Sequence, residues 1–147
     1  MTYLDNKPTL FKSPKDVPMP WPYKNFKPEE FASNGNGEVL VVPSFMDKLQ
    51  LLRDKYGRPM LISSGYRDPA YNSRVSSTGT KGPHTTGRAV DVQVFGKKAF
   101  ALIALAGALG FTGCGVAQKG SHRARFIHLD DLMPEDGHSI RPWIWSY

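Results

Sequence analysis

Cysteine is almost missing from this sequence: Cys114 stands alone, so no internal disulfide can form. Its neighbours Gly113 and Gly115 read as a tight strand start around a small residue, with no base beside the thiol to activate it. Long apolar runs are absent as well. The most hydrophobic stretch, Ala99 to Leu109, is interrupted by Gly107 and is shorter than the roughly 20 residues a bilayer span requires, which excludes membrane insertion. Met1-Thr-Tyr-Leu-Asp-Asn-Lys-Pro8 has no basic segment followed by an apolar block, so no Sec-type signal peptide is read there and any export is expected to use another route. Internal repeats are lacking too. Acidic residues are outnumbered, 13 against 19 basic ones, for a formal charge of +6. That balance favours acidic partners such as nucleic acid or an anionic cell envelope. The basic residues are dispersed, however, with Lys7, Lys12, Lys15, Lys24 and Lys27 followed by Arg53, Lys55 and Arg58. No groove-entering helix or stacking platform accompanies them, so nucleic acid is not an expected partner.

What is present suits one domain with one core. A chain of 147 residues can bury most of its apolar surface, and 40% hydrophobic against 22% charged residues excludes both a disordered tail and a membrane protein. Residues 1–24 hold five prolines and little apolar periodicity, which predicts an extended arm, with Trp21 and Tyr23 able to pin its end. The domain proper is expected over 25–147. Pro28 opens a helical turn that presents Phe31, with Phe26 as a second core anchor. Ser44-Phe-Met-Asp47 has the spacing of a capping box, and Phe45, Leu49, Leu52 and Tyr56 recur at helical intervals up to Gly57. A strand is predicted over Pro59 to Ser63, a short helix over Pro69 to Arg74, and a mobile loop over Ser76 to Gly82. Lys97 to Leu109 reads as a second long helix, and Cys114–Ala117 with Ala124–Leu129 as a hairpin. The ending Trp143-Ile-Trp145-Ser-Tyr147 is expected to fold back on the body, because exposed tryptophan is unfavourable.

The chemistry gathers in two stretches. In the first, Gly82-Pro-His84-Thr-Thr-Gly87 is a turn that feeds a strand, where Val90, Val92 and Val94 alternate with Asp91 and Gln93. The second, Phe126-Ile-His128-Leu-Asp130, puts His128 and Asp130 on one face of another apolar strand. Any one of these histidines alone is more often a core or surface group than a ligand. Together, His-x6-Asp entering a strand and His-x-Asp in a second strand offer imidazole and carboxylate donors, the set a hydrolytic zinc ion takes while keeping one position open for water.

With these residues in view, the chain resembles the zinc D-Ala-D-Ala carboxypeptidase family of peptidoglycan peptidases, which shares its metal site with the hedgehog signalling domain. The resemblance runs through Asn25-Phe-Lys-Pro-Glu-Glu-Phe31, Ile62-Ser-Ser-Gly-Tyr-Arg67-x-Pro-x-Tyr-Asn72, His84-x-x-Gly-x-Ala-x-Asp91, and Gly110-Phe111 followed by Phe126-Ile-His128-Leu-Asp130. It implies an α+β domain with a small, mostly antiparallel sheet and helices on one face. It implies Zn2+ held by His84, Asp91 and His128, with Arg67 gripping an oxygen of the substrate; the other reading of Arg67 is an ion pair with Asp68 or another carboxylate. Two positions depart from the family pattern. Gly82 stands where a serine is usual, and Arg125 and Phe126 stand where members carry the general base. Asp130 and His122 are the candidates left for that proton, and Asp130 could instead orient His128. The implied activity is hydrolysis of an amide bond in the wall stem peptide, D-Ala-D-Ala or L-Ala-D-Glu. The rival reading is a zinc-containing recognition module without catalysis. By analogy the protein is expected to be a monomer, held in the cytoplasm until released to the cell wall, as a phage lysin would be, or carried on a virion.

Overall fold

The computed structural model of the protein describes residues 2–137 and 140–147. In chain order its regular elements are β1 (Thr9–Phe11), β2 (Val39–Val41), α1 (Pro43–Tyr56), β3 (Leu61–Ser64), α2 (Pro69–Val75), β4 (Ala89–Gln93), α3 (Gly96–Ala108), β5 (Gly113–Ala117), β6 (Phe126–Asp130) and β7 (Trp143–Ser146), with short 3-10 turns between them. The main sheet has the order β3-β4-β6-β5-β7, and β1 and β2 form a separate ribbon. Every pairing is antiparallel except that of β5 with β7. The expected α+β architecture with a mostly antiparallel sheet is therefore found. None of the described helices is long and apolar enough to cross a membrane.

The two faces of β4 and β6 divide the labour. Val90, Val92, Ile127 and Leu129 point into a core they share with Phe45, Leu49 and Leu52 of α1 and Leu102 and Ala106 of α3. Leu49, Leu52, Leu102, Ile127 and Leu129 are each no more than 1% exposed. Burial on that scale contributes about 1.5–3 kcal/mol per side chain, enough to anchor two strands whose other face is polar. Asp91, His128 and Asp130 occupy that other face.

Element boundaries depart from expectation where one residue overrides the pattern. α1 starts at Pro43, not after Ser44, and its N-cap Val42 makes no side-chain cap. Proline fits a first helical position because its missing N–H has no partner to lose there. Ser44, freed from capping, accepts a hydrogen bond from Arg88 Nη1 at 3.0 Å. The strand expected over 59–63 runs from Leu61 to Ser64, and the helix expected from Lys97 begins at Gly96. Residues 76–82 contain a 3-10 turn, Gly79–Lys81, and are tied down by Asn72, whose Nδ2 donates to Thr78 Oγ1 and to the Gly79 carbonyl.

Both ends pack on the body. β1 pairs with β2, Val17 and Tyr23 are buried in the common core, and Tyr3, Trp21 and Tyr23 form an edge-to-face cluster. The final residues fold back as β7, which extends the sheet beside β5. Trp143 nevertheless stays 53% exposed, contrary to the expectation that folding back would cover it.

Candidate metal centre

Asp91 of β4 and His128 of β6 are directly opposed in the antiparallel ladder, so their side chains rise from the same face next to each other. His84 arrives from the 3-10 turn Pro83–Thr86, which ends at Gly87 in the left-handed region, with φ of +74°. A side chain at Gly87 would be strained, and its Cβ would lie 2.9 Å from both Leu40 and Val42. The chain thus reverses tightly against β2 and sets His84 over β4. His84 Nε2 lies 3.2 Å and His128 Nδ1 3.1 Å from Asp91 Oδ1. One ligand atom from each of the three residues falls within 4.8 Å of the others, and all three side chains are buried.

Partners on the far side of each ring settle which nitrogen is free. His84 Nδ1 lies 2.7 Å from the Gly65 carbonyl, which can only accept, so that nitrogen carries the proton and Nε2 keeps its lone pair. His128 Nε2 lies 2.7 Å from Asp130 Oδ2 and donates to it, so in the neutral ring the Nδ1 lone pair faces Asp91. Two imidazole lone pairs and a carboxylate oxygen then point at one spot. Such an arrangement repels itself unless a cation or extra protons sit between the groups, and two nitrogens with one oxygen suit a divalent metal of borderline softness.

Asp130 is wholly buried and fully engaged. Besides His128, it accepts from Arg141 Nε at Oδ1 and Arg141 Nη2 at Oδ2, both at 3.0 Å, and from the Leu132 N–H. A Cβ at Gly113 would approach its carboxylate oxygens within 2.4 Å. The missing side chain at position 113 therefore makes the room that Asp130 fills. Gly115 does the same for Trp145, whose Nε1 would lie 2.6 Å from a Cβ there; the Trp145 ring sits 5.0 Å from that of His128.

The electrostatics follow from these contacts. Burial alone would raise both carboxyl pKa values, yet the His128 and His84 rings at hydrogen-bond distance hold Asp91 below the ordinary carboxylate range. Those from His128 and Arg141 do the same for Asp130. Burial would lower His128, but its bonds to Asp130 and Asp91 outweigh that and raise it.

The cluster lies in the floor of a cleft of about 810 Å³, lined on one side by Arg67, Thr78 and Lys81 and on the other by Trp143, Trp145 and Tyr147. Arg67 does not pair with Asp68, which instead caps α2 by accepting from the Tyr71 N–H and also bonds Ser33. Its Nε donates to Ser64 Oγ, its Nη1 to Asn72 Oδ1, and its Nη2 stands 3.6 Å from Asp91 Oδ2. The expectation that His122 could reach the site is corrected: its ring stacks on Phe95 at 4.0 Å and 16°, and it is not among the described residues that line the cleft. A flat exposed aromatic holds it there.

Two imidazoles, each oriented from behind, and one carboxylate meet at the floor of an open cleft, an arrangement that could hold a metal ion through three donors. Residues 24–130 match the family model described as Peptidase M15, and the chain belongs to that family, the peptidases resembling zinc D-Ala-D-Ala carboxypeptidases. Comparison with curated proteins finds no match. Family membership supports a zinc peptidase that acts on peptidoglycan. Three contributors to the site escape the sequence reading. Asn72 stands inside a motif that was visible, at the end of the Arg67 segment. Arg141 and Trp145 lie past the last matched residue, Arg141 in a stretch without periodic pattern.

Proposed function

We propose that the protein is a zinc metallopeptidase that hydrolyses an amide bond in the peptide stem of peptidoglycan, either the D-Ala-D-Ala or the L-Ala-D-Glu bond. The observation that carries this reading is the convergence of His84 Nε2, His128 Nδ1 and Asp91 Oδ1, with the one proton of each neutral imidazole committed to Gly65 or Asp130 on its far side. Zinc held there would supply Lewis acidity, lowering the pKa of water from 15.7 to about 7 and polarising the scissile carbonyl. A single carboxylate among the three donors cancels only half of a divalent charge, so the centre stays electrophilic. Gly65 and Asp130 keep the two rings in the orientation and tautomer that ligation needs. Arg67, braced by Ser64 and Asn72, offers a planar fork to a substrate carboxylate or to oxygen charge that grows as the amide is attacked. Asp130 acts as a positioning residue and not as the base, because His128, Arg141 and the Leu132 N–H already take up both of its oxygens. His122 has no part in the reaction.

Incubation with purified peptidoglycan tests this. The expected result is release of new amino groups that a chelator stops and added zinc restores, with mass spectrometry of defined stem peptides assigning the bond. Metal-independent sedimentation with cell walls and no amino-group release would overturn the peptidase in favour of a recognition module.

A further inference from the structure

We propose that β7 and the residue after it form a sugar-binding shelf: Trp143 and Tyr147, on either side of a half-buried Trp145, stack on rings of the peptidoglycan glycan chain while its peptide stem lies over the metal centre, a proposal that rests on the peptidase reading above. The sheet register places the shelf. Gly113 is paired with both Asp130 and Trp143, and Gly115 with both His128 and Trp145. Directly paired residues share a face, so Trp143 and Trp145 rise on the side that carries the cluster, and strand alternation brings Tyr147 to the same side. All three line the cleft.

Their exposure needs a cause. Trp143 is 53% and Tyr147 58% exposed, although covering a large aromatic gains about 1.5–3 kcal/mol. Aromatic surface left open on one wall of a cleft, beside a reactive centre, is what a ligand would be expected to cover. Alternate residues on a strand are separated by about 6.6 Å, which puts Trp143 and Tyr147 about 13 Å apart; Trp145 between them is half-buried, with Arg141 over its ring at 5.3 Å and the Tyr147 ring turned 69° from its plane, so the two outer rings are the flat faces left open, each about the size of one pyranose. Such faces suit the C–H face of a sugar, and the indole N–H and phenol O–H at their edges can meet its hydroxyls. The cleft is also lined by Ser77, Thr78 and Lys81, beside Val75, which gives a sugar hydrogen-bonding partners as well as the aromatic faces. A lipid surface would need these rings on a convex face, and they stand in a concave one. The glycan is the natural occupant because the stem peptide is covalently attached to it. β7 lies outside the family match over 24–130.

Isothermal titration of the zinc-loaded protein with peptide-free glycan chains tests the shelf. The parent is expected to bind, Trp143→Ala and Tyr147→Ala to weaken binding at least tenfold, and Trp143→Phe to retain most of it. Phe100→Ala, which removes a 79% exposed aromatic on α3 outside the cleft, is expected to leave binding unchanged. Unaltered zinc stoichiometry shows that a variant is folded, and Tyr147→Ala carries the test if Trp143→Ala fails to fold. No binding by the parent, or parental binding by both alanine variants, overturns the shelf. Glycan binding by a parent that releases no amino groups from whole walls overturns the peptidase reading and leaves the shelf standing. Release without glycan binding does the reverse.

Discussion

His128 and Asp130 are hydrogen-bonded to each other, at 2.7 Å, through the imidazole nitrogen that faces away from the ligand cluster. The carboxylate thereby fixes the ring and the tautomer of a ligand without touching the metal position. In Asp130→Asn an amide oxygen in place of Oδ2 can still accept from His128 and Arg141 Nη2, but the NH2 in place of Oδ1 cannot accept from Arg141 Nε or the Leu132 N–H, and the negative charge is gone. Zinc affinity is expected to fall about 10- to 100-fold, measured by competition with a chelator of known affinity, while the fold is kept. An unchanged affinity would deny Asp130 its positioning role.

His84→Ala and Asp91→Ala each remove one of three donors. Metal content and wall cleavage are expected to disappear together, read by elemental analysis and amino-group release on the same samples. Full zinc with full activity in either variant would refute the ligand assignment.

Gly113 and Gly115 separate two kinds of crowding. A methyl at 113 meets Asp130 oxygens that several hydrogen bonds hold in place, whereas one at 115 meets the Trp145 ring on an edge strand. Gly113→Ala should therefore destabilise more, toward the upper end of the roughly 1–3 kcal/mol typical of overpacking. Denaturant melts of both variants give the comparison, and equal losses would show that Asp130 yields as easily as the indole.

The metal-free protein should respond to pH in two directions. His128 has a folded pKa above its ordinary 6.5. Its contribution to stability is thus complete below pH 6.5 and is lost as pH rises through the raised value. Asp91 and Asp130 are held below their ordinary 3.8, so theirs is present above that pH and is lost on acidification. Zinc must displace the proton from His128 Nδ1, and its apparent affinity should climb with pH above 6.5. Titrations in buffers of different ionisation enthalpy measure the proton released; none released across that window would mean that His128 is already neutral.

Asn72 is 1% exposed and joins Arg67 to the 76–82 segment. Asn72→Ala leaves several polar partners unmatched and is expected to cost about 1–3 kcal/mol. It should also raise KM for wall peptide more than it lowers kcat, because Arg67 loses its brace. A variant with normal KM would separate Arg67 from substrate binding.

Much of the site can be read from the sequence because two of its three donors, Asp91 and His128, sit on strands, where a period of two makes side-chain direction predictable. Asp91 against the valines and His128 with Asp130 are both read in that way. The partners that set the tautomers are harder to see. The Gly65 carbonyl is backbone and has no side-chain signature, and Arg141 reaches Asp130 across an irregular segment that no periodicity describes. Glycines 113 and 115 read as a tight strand start, whereas their role is the volume they leave for neighbours from other strands. Ser44 and Asp47 have the spacing of a cap, but Pro43 sets the start of the helix. Residues 76–82 have the composition of a free loop because the residue that ties them, Asn72, is on the preceding helix.

The ribbon formed by β1 and β2 has a consequence for the far side of the molecule. Leu40 and Val42, the residues that crowd Gly87, lie in and directly after the strand that β1 covers. The amino-terminal segment is therefore a backstop for the bend that aims His84, and trimming it would slacken the ligand geometry from behind, at a distance from the metal, without altering any group that touches it.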